Sequence, residues 1–377
     1  MIQANPPVHR SADSHELRPL TGIRGIAAAL VVLFHFYGSW ILLLPSLHVL
    51  SLCASRGSLG VDLFFILSGF ILSYVYHVND RRLTLAEYGR FLWFRFARIY
   101  PNHLATLVIL VGLVFAARLL RISITGDYVL ANLPAQLTLT HELPFTHPIP
   151  GGQWNFPAWS IGAEWFAYVC IFPLAAYLMR WKWDSLFSLI LAYLVLELWL
   201  FAPGIWQNFS FWYNPHLFWV SCEFFAGAMC FRAYLHANFF IHLLQKYASI
   251  LFLILAVLFC FYDWNCPEAR IVIVSVFPLL LIGLTSEMSL ISKLLATHFF
   301  LWLGRVSYAL YMSHALTEKF LKILLPSERY MHDSFVLRLL VFSINIAAIM
   351  AAAALLYYVV EVPSRNYLRK IRPAWLN

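Results

Sequence analysis

The sequence predicts an all-α, polytopic integral membrane protein with about ten transmembrane helices. Three observations indicate that class: the residue composition, a series of long apolar runs, and a one-sided placement of basic residues. Of 377 residues, 62% are hydrophobic and only 12% charged, against about 25% charged in an ordinary soluble protein. The mean hydropathy is +0.73. A water-soluble domain of this length cannot hide that much apolar surface, so lipid must solvate part of it.

A bilayer core about 30 Å thick requires roughly 20 apolar residues per helix. Runs of that kind fall at about 23–45, 59–78, 99–120, 157–179, 184–202, 211–234, 247–263, 269–286, 299–325 and 335–361. The ninth is the least clean, because Lys319 and Lys322 fall near its end. The leader is polar, and the stretch from Ile26 to Leu44 is too long for a signal-peptide core, so the first helix is expected to stay as an anchor. Segment 79–98 interleaves basic and aromatic residues and reads as a helix lying in the inner headgroup region. From Arg121 to Phe156 a loop containing HELPFTHPIPGGQWN is too rich in Pro and Gly for a long helix and is expected to fold over the outer mouth of the bundle. No repeat or soluble insert interrupts the series. Residues 1–377 therefore read as a single domain, with a short polar N-tail (1–20) and a basic C-tail (362–377).

Orientation follows from lysine and arginine. The tails and the loops on their side hold 18 of the 26 basic residues, leaving 8 for the opposite side. An even number of helices with both termini cytoplasmic accommodates this bias. The net charge of +8 is then a topology signal, and no nucleic-acid partner is expected. The six cysteines show no CxxC pair and no metal-like spacing with histidine, and read as small buried apolar residues. Cys53 and Cys266 lie near predicted helix ends, and a bond between them is left open.

Ionisable groups within apolar runs are costly in lipid and mark candidate function. Arg24 and His35 are eleven positions apart; at 100° per residue they share one face, about 16 Å apart along the axis. Arg24 then sits at the inner surface and His35 near the midplane, where a neutral imidazole can take up a proton. The other reading of His35 is a core histidine bonded to a carbonyl. Arg95 and Arg98 also share a face, and paired guanidiniums suit a phosphate; plain membrane anchoring is the alternative. Asp62, in GSLGVDLFFILSGF, either orients His35 or an acceptor, or satisfies a helix start. Ser68-Gly69 permits close helix packing.

Ser160 and Glu164 share a face at the outer start of the fourth run, where the carboxylate can bind hydroxyls. Trp154 and Trp159 can stack on a sugar ring, or serve as an interfacial belt. Arg305 is a third inner cation able to join the phosphate site, and His314 is either a core histidine or a second pathway residue. Glu223 and Glu361 are expected to pair with inner-leaflet arginines. His141, Glu142 and His147 imitate a metal set by residue type, but flexible-loop chemistry is the favoured reading and no metal is expected.

Seven segments carry a wider pattern: LTGIRGIAAALVVLFHF, GSLGVDLFFILSGFILS, RFARIYP, WSIGAEWFAY, EFFAGAMC, LGRVSYALYMSHA and VEVPSRNY. In their order and spacing the sequence resembles the acyltransferase-3 family of membrane O-acyltransferases, from the first helix to the last. The resemblance implies a multi-pass protein of the bacterial inner membrane. It would move an acyl, in the first instance acetyl, group from cytoplasmic acyl-CoA to a hydroxyl of a carbohydrate or lipid-linked glycan, such as an exopolysaccharide or lipopolysaccharide unit. It also implies that His35 is catalytic and that Arg24, Arg95 and Arg98 serve the donor. Acyl-CoA is then a co-substrate, with no permanently bound cofactor. Some members carry a C-terminal SGNH domain; about 16 residues follow the tenth run here, so transfer is expected to be completed within the membrane domain.

The expected scheme docks acyl-CoA phosphates on Arg95 and Arg98, with Arg24 or Arg305, while the acceptor enters past the 121–156 loop and Glu164. His35 removes the hydroxyl proton as the oxygen attacks the thioester. Direct transfer is favoured because no Cys or Ser stands in an obvious nucleophile motif; an acyl-histidine or acyl-serine step stays open. Acceptor identity, acyl length and oligomeric state are not legible. A polysaccharide or acyl-group exporter is the rival class, since it too uses intramembrane His and Arg, although inverted repeats and paired broken helices are not evident.

Overall fold

The computed structural model describes residues 16–76, 83–121, 128–143, 146, 154–181, 185–201, 214–235, 239–261 and 268–371. Among them all regular structure is helical. The long elements are α1 (Arg18–Leu43), α2 (Leu59–Val75), α3 (Leu85–Leu119), α4 (Ala158–Leu178), α5 (Ser185–Phe201), α6 (Pro215–Leu235), α7 (Phe239–Phe261), α8 (Glu268–Gly283), α9 (His298–Leu324) and α10 (Phe335–Lys370). Every predicted run falls on one of these helices. By length and apolarity, five can cross a membrane: α1, α3, α4, α7 and α10. A sixth is added if α2 and the preceding Pro45–Ser55 segment, bent by 44°, count as one span. α6 and α9 fall outside that set because they carry polar groups into the centre of the bundle: Glu223 and Arg232 on α6, and Ser307, Ser313 and His314 on α9, all buried.

The headgroup helix expected over 79–98 does not form separately. A capping box starts α3, with Thr84 Oγ1 accepting from Glu87 N–H at 3.2 Å and Glu87 Oε2 accepting from Thr84 N–H at 2.9 Å. The helix then runs 35 residues, straight through Pro101. The charges of Arg90, Arg95 and Arg98 hid this continuity in the hydropathy pattern. Both expected tails are also shorter: α1 already begins at Arg18, and α10 continues to Lys370. That continuation passes through a π-helical turn, Leu356–Glu361. Pro363 falls in the first turn of the following segment, where its missing N–H is harmless. Trp93 Nε1 on α3 donates to the Leu368 carbonyl at 2.8 Å, which ties this last segment down.

α4 holds a second π-helical turn at Ala167–Ile171, followed by Pro173. Proline cannot donate to the carbonyl four residues back. That carbonyl, on Val169, accepts instead from the Tyr88 hydroxyl of α3 at 2.6 Å. Nearby, Phe91 of α3 stacks on Phe172 of α4 with centroids 4.0 Å apart.

Two helix crossings depend on absent side chains. A Cβ on Gly69 of α2 would collide with the Phe224 carbonyl of α6, and one on Gly227 of α6 with the Ile66 carbonyl of α2. A Cβ on Gly304 of α9 would strike the Thr21 carbonyl of α1. With little hydrophobic drive between helices in lipid, such close approach supplies the contact energy. It also brings α1, α2 and α9 close around a polar interior.

Candidate functional site

α1, α2, α3, α4 and α9 enclose two adjoining cavities. Arg24 on α1 and Arg95 and Arg98, one turn apart on α3, line the first, together with Ser68, Glu164 and Tyr168. Three guanidiniums thus face one lining carboxylate. Glu164 accepts from Ser68 Oγ at 3.1 Å and from the Tyr168 hydroxyl. Arg98 is ion-paired with Glu361, which is fully buried at the end of the π turn of α10. Glu361 also takes a 2.8 Å bond from Asn102 Nδ2 and lies 3.4 Å from Arg365, so it pairs with arginines as its sequence context suggested. Arg95 lies over the Tyr76 ring at 5.8 Å. Counting Glu361 behind Arg98, the wall keeps a surplus positive charge, suited to an anion.

The second cavity shares Arg24, Ser68, Glu164 and Tyr308 with the first and extends to Ser160 and Tyr311. The Tyr311 ring centroid is 5.7 Å from that of His314, and His314 is 4.8 Å from His35. Arginines, carboxylate, tyrosines and the two imidazoles therefore form one continuous line of polar groups. His35 is half-buried between Phe34 and Phe156, with centroids at 5.0 and 5.4 Å. His314 is fully buried; its Nδ1 bonds the Tyr311 carbonyl, and its Nε2 has no hydrogen-bond partner among the described residues.

Not every sequence-level candidate joins this line. Arg305 points away, 54% exposed, toward Glu16 at 3.5 Å, so it is not brought into the arginine cavity. Asp62 is fully buried but bonds Arg270 of α8, with contacts of 2.7 and 3.2 Å to Oδ1; His35 is not among the partners seen for it. The reason lies in the packing, since α2 faces α6 and α8 with the side that bears Asp62. Arg270 in turn stacks over Trp219 at 4.4 Å. Glu223 of α6 adjoins Asp62 and Arg270, and Arg270 is thus its nearest cation in place of an inner-leaflet arginine.

On the loop side, Trp154 is buried, packs at a tilt against Tyr128 with centroids 5.3 Å apart and donates to the Val129 carbonyl at 3.1 Å. Trp159 packs on Trp219 and His216, at 5.2 and 4.5 Å. Both indoles are used in holding the protein together, which the stacking role expected of them did not include. Ser160 lines the second cavity and donates to the Pro157 carbonyl at 2.9 Å. Glu164 sits one turn below it and turns to the arginines. His141 bonds the Ala158 carbonyl at 2.9 Å, and Glu142 bonds Asn214 and His216 at 2.8 and 3.1 Å. His147 and Cys266 lie outside the described residues. Among the described residues no three metal-ligating side chains gather.

Tyr168, Tyr308, Tyr311 and Asn102 were not anticipated. The first three had a legible signal: Tyr168 is four residues after Glu164, and Tyr308, Tyr311 and His314 recur every three residues on α9.

A family model described as an acyltransferase domain, acyltransferase type 3, matches residues 19–358. The chain is 34% identical over 170 residues to a Streptomyces mycarofaciens protein named acyltransferase MdmB, covering 44% of this chain and 40% of that one. It is 31% identical over 159 residues to a Rhizobium radiobacter protein named protein 2 in picA locus, covering 38% of this chain and 75% of the relative. The matched stretch thus spans well under half of the first relative's length and three quarters of the second's. No solved structure matches.

Proposed function

The chain belongs to the acyltransferase-3 family, and from that premise we propose that it is a membrane O-acyltransferase. The reaction is transfer of an acyl group, acetyl in the first instance, from acyl-CoA to a hydroxyl of a carbohydrate acceptor. The observation that carries this reading is the convergence of Arg24, Arg95 and Arg98 on one cavity with a single lining carboxylate. A surplus of guanidinium charge fits the phosphates of a nucleotide-bearing thioester. The name of the Streptomyces relative points the same way.

In this mechanism Arg24 and Arg95 grip the donor phosphates, and Arg98, partly neutralised by Glu361, completes the field. The pantetheine arm passes Ser68, Glu164 and Tyr308 into the second cavity, and the thioester lies near Tyr311. His35 takes the proton of the acceptor hydroxyl as its oxygen attacks the thioester carbonyl. The C–S bond breaks, and the same proton passes to the departing thiolate, so the reaction is neutral overall. No catalytic metal is required. The proposal includes about ten crossings of a bacterial inner membrane with both termini cytoplasmic, following the bias of basic residues. The donor then comes from the cytoplasm, and the acceptor from the face bearing Trp154 and Phe156.

Membranes containing the wild type or the His35→Ala variant, supplied with radiolabelled acetyl-CoA, test the reading. Label is expected on glycan with the wild type, and about 10²–10⁴-fold more slowly with the variant. Equal labelling in both would remove His35 from the chemistry, and labelled acetyl groups crossing the membrane without a covalent product would favour an exporter.

A further inference from the structure

His314 is buried in α9 with one nitrogen satisfied and the other not. The bond on Nδ1 goes to a backbone carbonyl, which can only accept, so Nδ1 carries the ring proton. Nε2 is therefore a lone-pair acceptor, buried without a partner among the described residues. A buried acceptor of this kind calls for a donor, and what lies beside it decides which. The nearest titratable ring is His35, with centroids 4.8 Å apart and planes inclined at 37°. His35 is half-buried; the charged side chains acting on it are Glu318 and Lys322, and across the 4.8 Å between the ring centroids His314 is the imidazole placed to receive its N–H.

We propose that His314 is a positioning residue: its Nε2 accepts an N–H from His35, fixes the tautomer of that ring, and leaves the other His35 nitrogen as the base facing the acceptor. The idea rests on the acyl-transfer reading given above. The chemistry follows from which groups can be buried here. A carboxylate in the orienting position would add a permanent charge to the membrane interior. A neutral imidazole does the same orienting work without one. When His35 takes up the hydroxyl proton, its bond to His314 becomes charge-assisted and strengthens in the transition state. The chain of carbonyl, His314 and His35 thus passes orientation from the rigid backbone of α9 to the reacting atoms, and neither Asp62 nor Glu164 is needed for it.

Nitrogen-15 NMR of histidine-labelled protein in lipid nanodiscs tests the pairing without any substrate. Single variants at 35 and 314 assign those two rings among the 14 histidines. The expected wild-type spectrum has His314 protonated on Nδ1 only and His35 in one tautomer, and His314→Leu turns His35 into a mixture. A proton on Nε2 of His314, or a mixed His35 tautomer in the wild type, overturns the proposal. In labelled acetyl-CoA assays, His314→Leu is expected to lower kcat about 100-fold, the low end for a misdirected general base, with the donor KM unchanged. His314→Gln, which sets an amide oxygen near the lost acceptor, is expected to recover much of that loss. Equal losses in both variants would reduce His314 to a packing residue. If His35→Ala keeps full activity, the acyl-transfer scheme through His35 fails, while the tautomer spectra still decide the pairing on their own.

Discussion

The two ends of the polar line are built on opposite principles. At one end, Arg24, Arg95 and Arg98 bring permanent charge into the bundle, and Glu164 and Glu361 offset part of it. At the other, His35 and His314 are imidazoles set among rings and backbone carbonyls, with Glu318 and Lys322 the charged groups acting on His35. Holding an anion requires a standing field. Moving a proton requires a group that changes charge only for an instant. The difference teaches that damage at the two ends should be kinetically distinct, in donor binding at one and in turnover at the other.

Four substitutions can break or sharpen that contrast. The largest effect is expected from His35→Ala: a fall in kcat of about 10²–10⁴-fold with the donor KM intact, read by initial rates across acetyl-CoA concentrations. A raised KM instead would erase the distinction between the ends. Next is Glu361→Gln, which leaves Arg98 without its buried counter-charge and should cost about 3–5 kcal/mol of stability. Thermal unfolding in detergent measures it, and an unchanged midpoint would mean that water or lipid already screens the pair. Arg95→Ala should remove a charge-assisted contact of about 1.5–3 kcal/mol, raising the donor KM roughly 10–100-fold without lowering kcat. The smallest change is expected from Arg305→Ala. Its exposed pairing with Glu16 is worth at most about 1 kcal/mol, and both kinetic constants should stay at wild-type values. A donor KM that rises with Arg305→Ala would bring that arginine back into the phosphate site.

The helices were legible because apolar runs and their polar breaks reflect what lipid tolerates, and each predicted run lies on a helix. Continuity was harder to read. Arg90, Arg95 and Arg98 disguise the first half of α3, and Pro101 suggests a break, yet the Thr84–Glu87 capping box drives one 35-residue element. Within the site, the residues read from a single helix were placed on a shared line: Arg24 with His35, and Arg95 with Arg98. Roles that depend on which neighbour a helix faces were not. Asp62 finds Arg270, 208 residues away. Glu164 turns inward to the arginines, and Trp154 is packed against Tyr128. Helical periodicity gives a direction for each side chain but not the identity of the helix it meets.

Glu361 has a consequence for how the protein is made. It reaches Arg98 from 263 positions further along the chain, so a ribosome finishes both arginines of α3 long before their counter-charge exists. During insertion, Arg95 and Arg98 must find temporary anions, and phosphate headgroups of the surrounding lipid are the abundant source. Completion of α10 exchanges that provisional partner for Glu361 and closes the pocket from behind. Until residue 361 is made, the arginine-lined cavity therefore lacks the buried carboxylate that balances Arg98.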